Sequence, residues 1–370
     1  MSKCFRIYLV AGARPNFMKI APLWHKFKLL RNDFETRIVH TGQHYDYTMS
    51  EVFLNNLGLG KPDFFLEVGS GTHGYQTAQV LMRMEKLLLE HRPDMVIVVG
   101  DVNSTFAAAL ASVKLRVPVA HIEAGLRSFD MGMPEEINRI LTDRISDLLF
   151  VSEPSGLVNL ANEGIDDESI HLVGNLMIDS LSNNLEPIRA NDTTGKMGLK
   201  GIKFCLVTIH RPSNVDSEKA LFKVYEVLCE AGSRGKLVFP AHPRTCKNIE
   251  KFGLKQKFDS IKNLTIIEPI GYFDFINLML HSHYVLTDSG GIQEETTWLG
   301  IPCVTLRNNT ERPLTVDEGT NHITGLDLLA IKDAFEKVDK FDASSYSPPD
   351  LWDGNAAERV VEIVKDFFSK

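Results

Sequence analysis

The sequence has no cysteine framework. Its five cysteines, Cys4, Cys205, Cys229, Cys246 and Cys303, are odd in number and scattered, with no C-x-x-C pair and no histidine at finger spacing. That excludes a disulfide scaffold and a structural zinc site, and it fits a reducing compartment. Long apolar runs are missing as well: nothing approaches the ~20 residues that cross a bilayer. The first apolar stretch, Ile7 to Ala11, is too short for a signal peptide and has no cleavage pattern. The chain therefore reads as soluble and cytoplasmic. Nor is there a basic excess. Lys and Arg number 40 against 48 Asp and Glu, a formal charge of -8, so nucleic acid and membrane surfaces are not expected partners. What the chain does have is length and apolar mass: 370 residues, 44% of them hydrophobic, enough for two domains of ~150 residues each with its own core.

Short runs of aliphatic residues recur at Ile7 to Ala11, Arg37 to Thr41, Met95 to Gly100, Val117 to Ile122 and Leu148 to Ser152, separated by helix-length amphipathic segments. Runs without polar alternation mark strands buried on both faces, and the intervening helices imply parallel crossovers. Residues 1–185 are expected to form one doubly wound α/β domain. The segment 186–201 is poor in apolar residues and rich in turn formers, and reads as a linker. Over 202–370 the alternation restarts, with strands at Phe204 to Ile209, Lys236 to Pro240, Leu264 to Ile267, Tyr284 to Thr287 and Pro302 to Leu306, and helices at Glu218 to Ala231, Tyr272 to His281 and Gln293 to Leu299. The final helix is expected to pack back on the first domain. Two such domains in tandem imply an interdomain cleft, with ligands held beyond the carboxyl ends of the strands.

The informative residues follow strands. Asp288-Ser289-Gly290-Gly291-Ile292-Gln293-Glu294-Glu295 leaves a strand and opens a helix, where glycine amides and a hydroxyl can take phosphate. Glu294 and Glu295 could accept ribose hydroxyls or simply meet the helix dipole. Arg14 and Lys19 flank the first strand-to-helix turn and could converge on a diphosphate. Asp101, Glu123 and Glu135 offer three carboxylates at one sheet edge, a set able to supply both a proton acceptor and a proton donor; Glu135 and Glu136 after Pro134 would serve equally as first-turn acids. His210, beside Arg211, could steady a leaving phosphate or shuttle a proton; His242 occupies a similar strand end. Gly69-Ser70-Gly71-Thr72-His73-Gly74 satisfies the dinucleotide pattern G-x-G-x-x-G. It follows Glu67 and not the first strand, so it reads as a flexible loop.

Together, Gly12-Ala13-Arg14-Pro15-Asn16-Phe17-Met18-Lys19, Gly42-Gln43-His44, Gly100-Asp101, His121-Ile122-Glu123-Ala124-Gly125-Leu126-Arg127, Pro134-Glu135-Glu136, His210-Arg211, the Asp288 to Glu295 stretch and Thr310-Glu311-Arg312-Pro313 closely resemble the non-hydrolysing UDP-N-acetylglucosamine 2-epimerases. The resemblance runs from Ile7 to Gly319. It implies a GT-B-like fold, a homodimer and interconversion of UDP-N-acetylglucosamine with UDP-N-acetylmannosamine, without metal or other cofactor, in supply of surface polysaccharide. It places phosphate and uridine contacts on Arg14, Lys19, His210, Phe275, Ser289, Gly291, Glu295 and Arg312, to which the glycine loop adds Gly290. It places the acid, base and stabilising carboxylates on Asp101, Glu123 and Glu135. Two stretches depart from the family pattern. Arg211-Pro212-Ser213-Asn214 stands where many members have Arg-Arg-Glu-Asn, which bears on sugar specificity. Gln43-His44 runs on into Tyr45-Asp46 and not into Arg, which bears on allosteric activation by a second substrate. The alternatives are a 2-epimerase of a related UDP-acetamido sugar, a GT-B glycosyltransferase, an NAD-dependent sugar oxidoreductase and a non-catalytic nucleotide-sugar-binding module.

Overall fold

The computed structural model describes residues 4–42 and 54–369; the Gln43-His44-Tyr45-Asp46 stretch lies outside them. The chain divides into two compact units, Met1–Ser182 with Asp350–Lys370, and Asn183–Pro349. In the first, strands β1 (Phe5–Ala11), β2 (Phe34–His40), β3 (Phe64–Phe65), β4 (Met95–Val99), β5 (Val119–Ile122), β6 (Leu148–Val151) and β7 (Ile170–Leu172) form one sheet in the order β3-β2-β1-β4-β5-β6-β7. In the second, β8 (Phe204–Thr208), β9 (Lys236–Pro240), β10 (Leu264–Ile267), β11 (Tyr284–Thr287), β12 (Cys303–Thr305) and β13 (Asn321–Ile323) take the order β10-β9-β8-β11-β12-β13. Every pairing is parallel.

The central strands are those with unbroken apolar runs. All of Met95–Val99 is buried at 0% exposure, as a strand covered by helices on both faces must be. In each unit the strand order reverses once, between β1 and β4 and between β8 and β11. At such a reversal the adjoining helices leave in opposite directions and open a crevice at the carboxyl ends of the two strands. The Gly12 and Gly100 turns flank the first reversal, and the His210 and Asp288 turns flank the second.

The segment 186–201, expected as a linker, is folded into the second unit. Its short helices Leu185–Ala190 and Thr193–Lys196 pack on the helix Tyr272–His281. Asn191 and Thr193 donate to Asp274 at 2.8 and 2.7 Å, and Asn277 donates to the Ile188 carbonyl at 2.9 Å. Those contacts are polar, and Ile188 and Leu199, the apolar residues buried with them, are too few to make a pattern. The last helix, Ala356–Ser369, belongs to the first unit. Asp179 caps it by accepting from Ala356 N and Ala357 N at 3.1 and 2.7 Å. Ion pairs Lys26–Glu358 and Lys365–Asp33, each at 2.9 Å, and stacking of Phe368 on Phe5 hold its length. Among the described residues no helix is long and apolar enough to cross a membrane.

Candidate active site

In the first unit, the turn after β1 leaves no room for a side chain at Gly12, where a Cβ would lie 2.5 Å from Ser104 Oγ. The Asn16 carboxamide accepts from Gly12 N and Ala13 N at 3.2 and 3.0 Å and donates to the Val99 carbonyl at 3.0 Å. It thereby locks the turn after β1 to the end of β4. Arg14, at the start of the helix Arg14–Leu29, is exposed. Lys19, one turn further on, is buried and donates to Glu123 Oε2. The two cations expected to work as a pair thus occupy different surroundings, and Lys19 is engaged with a carboxylate.

Two of the three candidate carboxylates, Asp101 and Glu123, are matched to cations. Asp101, after Gly100 (φ 71°), takes Arg139 at 2.5 Å. Arg139 also binds Glu136 at 2.6 Å, and Glu136 accepts from Ser128 N, Ser128 Oγ and Phe129 N at 2.8–3.0 Å. Glu136 is 1% exposed and anchors the loop before the helix Pro134–Ile145. Glu135 beside it is half-buried, with no side-chain bond to a described residue. Glu123, 6% exposed, has φ 67°. A non-glycine residue in the left-handed region costs about 1–3 kcal/mol and persists where its surroundings dictate it, often at functional sites.

In the second unit, Asp288 is fully buried and accepts from His210 N, Arg211 N and Asn214 Nδ2 at 2.9–3.1 Å, so it ties the turns after β8 and β11 together. The His210 ring is 44% exposed, with Nδ1 3.3 Å from Asp288. His242 accepts from Arg244 N at 3.2 Å and caps the helix Pro243–Lys251, a local task that accounts for its place. The helix Gly290–Leu299 begins after Ser289, whose hydroxyl does not cap it. Ser289, Gly290, Gly291 and Phe275 are all half-buried. A Cβ on Gly290 would lie 2.9 Å from Arg312 Nη1.

Beside this helix start lies a buried ionic cluster. Arg312 Nε is 2.7 Å from Glu294, Arg307 binds Glu311 at 2.5 and 2.8 Å, and Arg211 lies 4.0 Å from Glu311. Burial, reinforced by the charge of Arg307, pushes the Arg211 pKa down, while Glu311 and Asp288 act to hold it up. Cations beside an uncapped helix start favour an anion. Glu295 is 3% exposed and accepts from Tyr272 at 2.8 Å. Burial pushes its carboxyl up to about 8.

A family model described as UDP-N-acetylglucosamine 2-epimerase matches residues 28–365. The chain belongs to that family. It is therefore an isomerase built on two parallel-sheet α/β domains. Its epimerase relatives include a UDP-N-acetylglucosamine 2-epimerase homolog of Methanococcus maripaludis, 43% identical over 98% of this chain and 99% of that one. Another is UDP-2,3-diacetamido-2,3-dideoxy-D-glucuronate 2-epimerase of Pseudomonas aeruginosa, 41% identical over 97% and 99%. Among solved structures, the UDP-GlcNAc 2-epimerase of Methanocaldococcus jannaschii in complex with UDP-GlcNAc and UDP superposes with a TM-score of 0.89 at 39% identity, covering 97% of this chain and 99% of that one. The G-x-G-x-x-G match of this epimerase follows β3, a two-residue strand at the outer end of the sheet. A dinucleotide fingerprint belongs on the first strand-to-helix turn, and here that turn holds Gly12 and Asn16. The sequence assigns no site role to Asn16, Glu136, Arg139 or Asp143, although Asn16 and Glu136 stand within its motifs.

Proposed function

We propose that this epimerase interconverts UDP-N-acetylglucosamine and UDP-N-acetylmannosamine by eliminating UDP and adding it back to a glycal. The observation that carries the reading is the division of labour between the two reversal points. One presents an uncapped helix start with arginines beside it, suited to a diphosphate. The other presents Asp101 and Glu123 on stiffened turns, suited to proton transfer. The C2 hydrogen beside an acetamido group is too weakly acidic for direct removal. Cleaving the C1–O bond with its electron pair leaving on the UDP oxygen builds positive charge at C1, which acidifies C2. A carboxylate takes the C2 proton, and the C–H electrons become the C1=C2 bond. Re-addition of UDP with protonation on the other face gives the epimer. In this reading Arg14, Lys19, Arg312, Ser289, Gly290 and Gly291 serve the diphosphate, Phe275 and Glu295 the nucleoside, and His210 the leaving phosphate. Asp101, Glu123 and Glu135 handle protons and charge at the sugar. The enzyme is a cytoplasmic homodimer in this proposal, and its product feeds surface polysaccharide.

The deciding experiment is incubation with UDP-N-acetylglucosamine in deuterated water while C2 is followed by NMR; UDP-N-acetylmannosamine carrying deuterium at C2 is the expected product. The second reading, a related acetamido sugar, is favoured by the Pseudomonas relative's substrate and would show as a higher kcat/KM for the diacetamido uronate.

Neither metal nor NAD takes part in this route. Full activity is expected to survive exhaustive chelation, and purified protein is expected to carry no stoichiometric NAD; failure of either would reject it.

Glu295 gives a pH dependence. Ribose hydroxyls donate to the ionised carboxylate, yet burial keeps the carboxyl protonated below about pH 8. UDP binding is then coupled to proton release, and affinity should weaken by up to ~10-fold per pH unit below that value. Calorimetry in buffers of different ionisation enthalpy reads the released proton. A Glu295→Gln variant should bind with that linkage gone, and a wild-type affinity flat between pH 9 and pH 7 would remove Glu295 from the ribose.

A further inference from the structure

Behind the turns that present Asp101 and Glu123 lies a buried polar network that the reaction itself does not use. His121, on β5, has no exposed surface. Its Nδ1 is 2.6 Å from Asp143 Oδ1 and its Nε2 is 2.9 Å from the Gly100 carbonyl oxygen. A carboxylate and a carbonyl can only accept, so both bonds form only when each ring nitrogen carries a proton. Asp143, on the helix Pro134–Ile145, turns its other oxygen to Gly125 N at 3.0 Å and to Arg127 at 2.7 Å. Arg127 continues to Glu163 at 2.8 Å and to the Leu126 carbonyl at 2.8 Å. Burial alone would push the Asp143 carboxyl up; the charges and hydrogen bonds of His121 and Arg127 outweigh it and hold the carboxyl below its usual range.

Gly100, Glu123 and Gly125 have φ of 71°, 67° and 77°, so three positions around the two carboxylates sit in the left-handed region. The network grips two of them directly, Gly100 through its carbonyl and Gly125 through its amide. An apolar contact would fasten this helix to β5 without the desolvation that buried ions suffer; what an ionic set adds is direction, since each bond fixes a particular backbone atom.

We propose that Asp143 and His121 are positioning residues for the epimerisation, the His121 ring fixing the turn that aims Asp101 and the Asp143 carboxylate fixing the left-handed backbone that aims Glu123. Neither touches substrate. The inference rests on the carboxylate roles given under the proposed function, and displacement of a reacting group by about 1 Å is enough to cost ~100-fold in rate.

The test uses full-length Asp143→Asn and His121→Asn beside Asp101→Asn and the unaltered enzyme. In folded variants at position 143 or 121, kcat should fall ~10–100-fold, with KM and the UDP dissociation constant within about threefold, a split that a merely structural role would not produce. The 15N shifts of the His121 ring in the unaltered protein, assigned by their loss in His121→Asn, should show a proton on both nitrogens. If both variants fail to fold, that spectrum decides. A ring with one bare nitrogen overturns the proposal, and so do folded variants with unaltered kcat. Should Asp101→Asn lose activity while His121→Asn and Asp143→Asn keep it, only this inference falls. Should Asp101→Asn keep full activity, the underlying assignment falls with it.

Discussion

Changing Asp101 to Asn or Glu123 to Gln is expected to slow epimerisation by ~100-fold or more, the usual scale for losing a general acid or base, while UDP affinity stays within about twofold. The reason for the split is positional. Both carboxylates follow β4 and β5 of the first unit, whereas the uncapped helix start follows β11 and its arginines follow β8 and β12 of the second. Each carboxylate also has a structural partner, Arg139 at 2.5 Å for Asp101 and Lys19 for Glu123. An amide keeps the shape and loses the charge, so melting temperatures belong in the same experiment. Glu135 gives the cleanest case. Its side chain is bonded to no described residue, and Glu136 anchors the loop in its stead. Glu135→Gln should therefore fold as the parent does, and its kinetics report chemistry alone. A Glu135→Gln enzyme with full activity would return that residue to the plain role of a first-turn acid. Residual turnover in any variant should still place solvent deuterium at C2. Product keeping its original C2 hydrogen would reject elimination itself.

The central strands were legible because burial on both faces removes polar residues from them, as in Met95–Val99 and Tyr284–Thr287. Of the four strands at the outer ends of the sheets, Leu264–Ile267 was legible from its three aliphatic residues in four, and the other three escaped: Phe64–Phe65, Ile170–Leu172 and Asn321–Ile323 are short, the latter two carry a histidine, and all have partly exposed positions. They lack a second neighbour, and so the pressure toward an unbroken aliphatic run. In the site, Asp101 and Glu123 stood out because a carboxylate just beyond a buried strand has no local reason to be there. Glu135 and Glu136 were indistinguishable by sequence, since both suit a first helical turn. Only the fold shows that Glu136 faces inward to Ser128 and Phe129. Asp143 was invisible for a similar reason: its partners His121, Gly125 and Arg127 lie 16–22 residues back, beyond any local spacing rule. Lys19 read as half of a cationic pair with Arg14, and its burial against Glu123 depends on a contact 104 residues away.

Replacing Arg14 or His210 with Ala is expected to weaken UDP binding by about 1.5–3 kcal/mol, or roughly 10- to 150-fold, the worth of one charge-assisted contact. Both side chains are exposed in the structure, so their loss should leave folding intact and appear in titration calorimetry alone. Asp288 makes the contrast. It was read as part of the phosphate loop, yet its carboxylate is fully buried and occupied by His210 N, Arg211 N and Asn214 Nδ2. Asp288→Ala strips those donors of their acceptor, and each buried donor left unsatisfied costs about 1–3 kcal/mol. The expected result is a large fall in melting temperature, with UDP binding lost only as the His210 turn loosens. The two classes of variant thus separate a ligand contact from the frame that carries it. Unchanged UDP affinity in both Arg14→Ala and His210→Ala would refute their placement at the diphosphate, and an unaltered melting temperature in Asp288→Ala would mean that the turns after β8 and β11 are held by something other than this carboxylate.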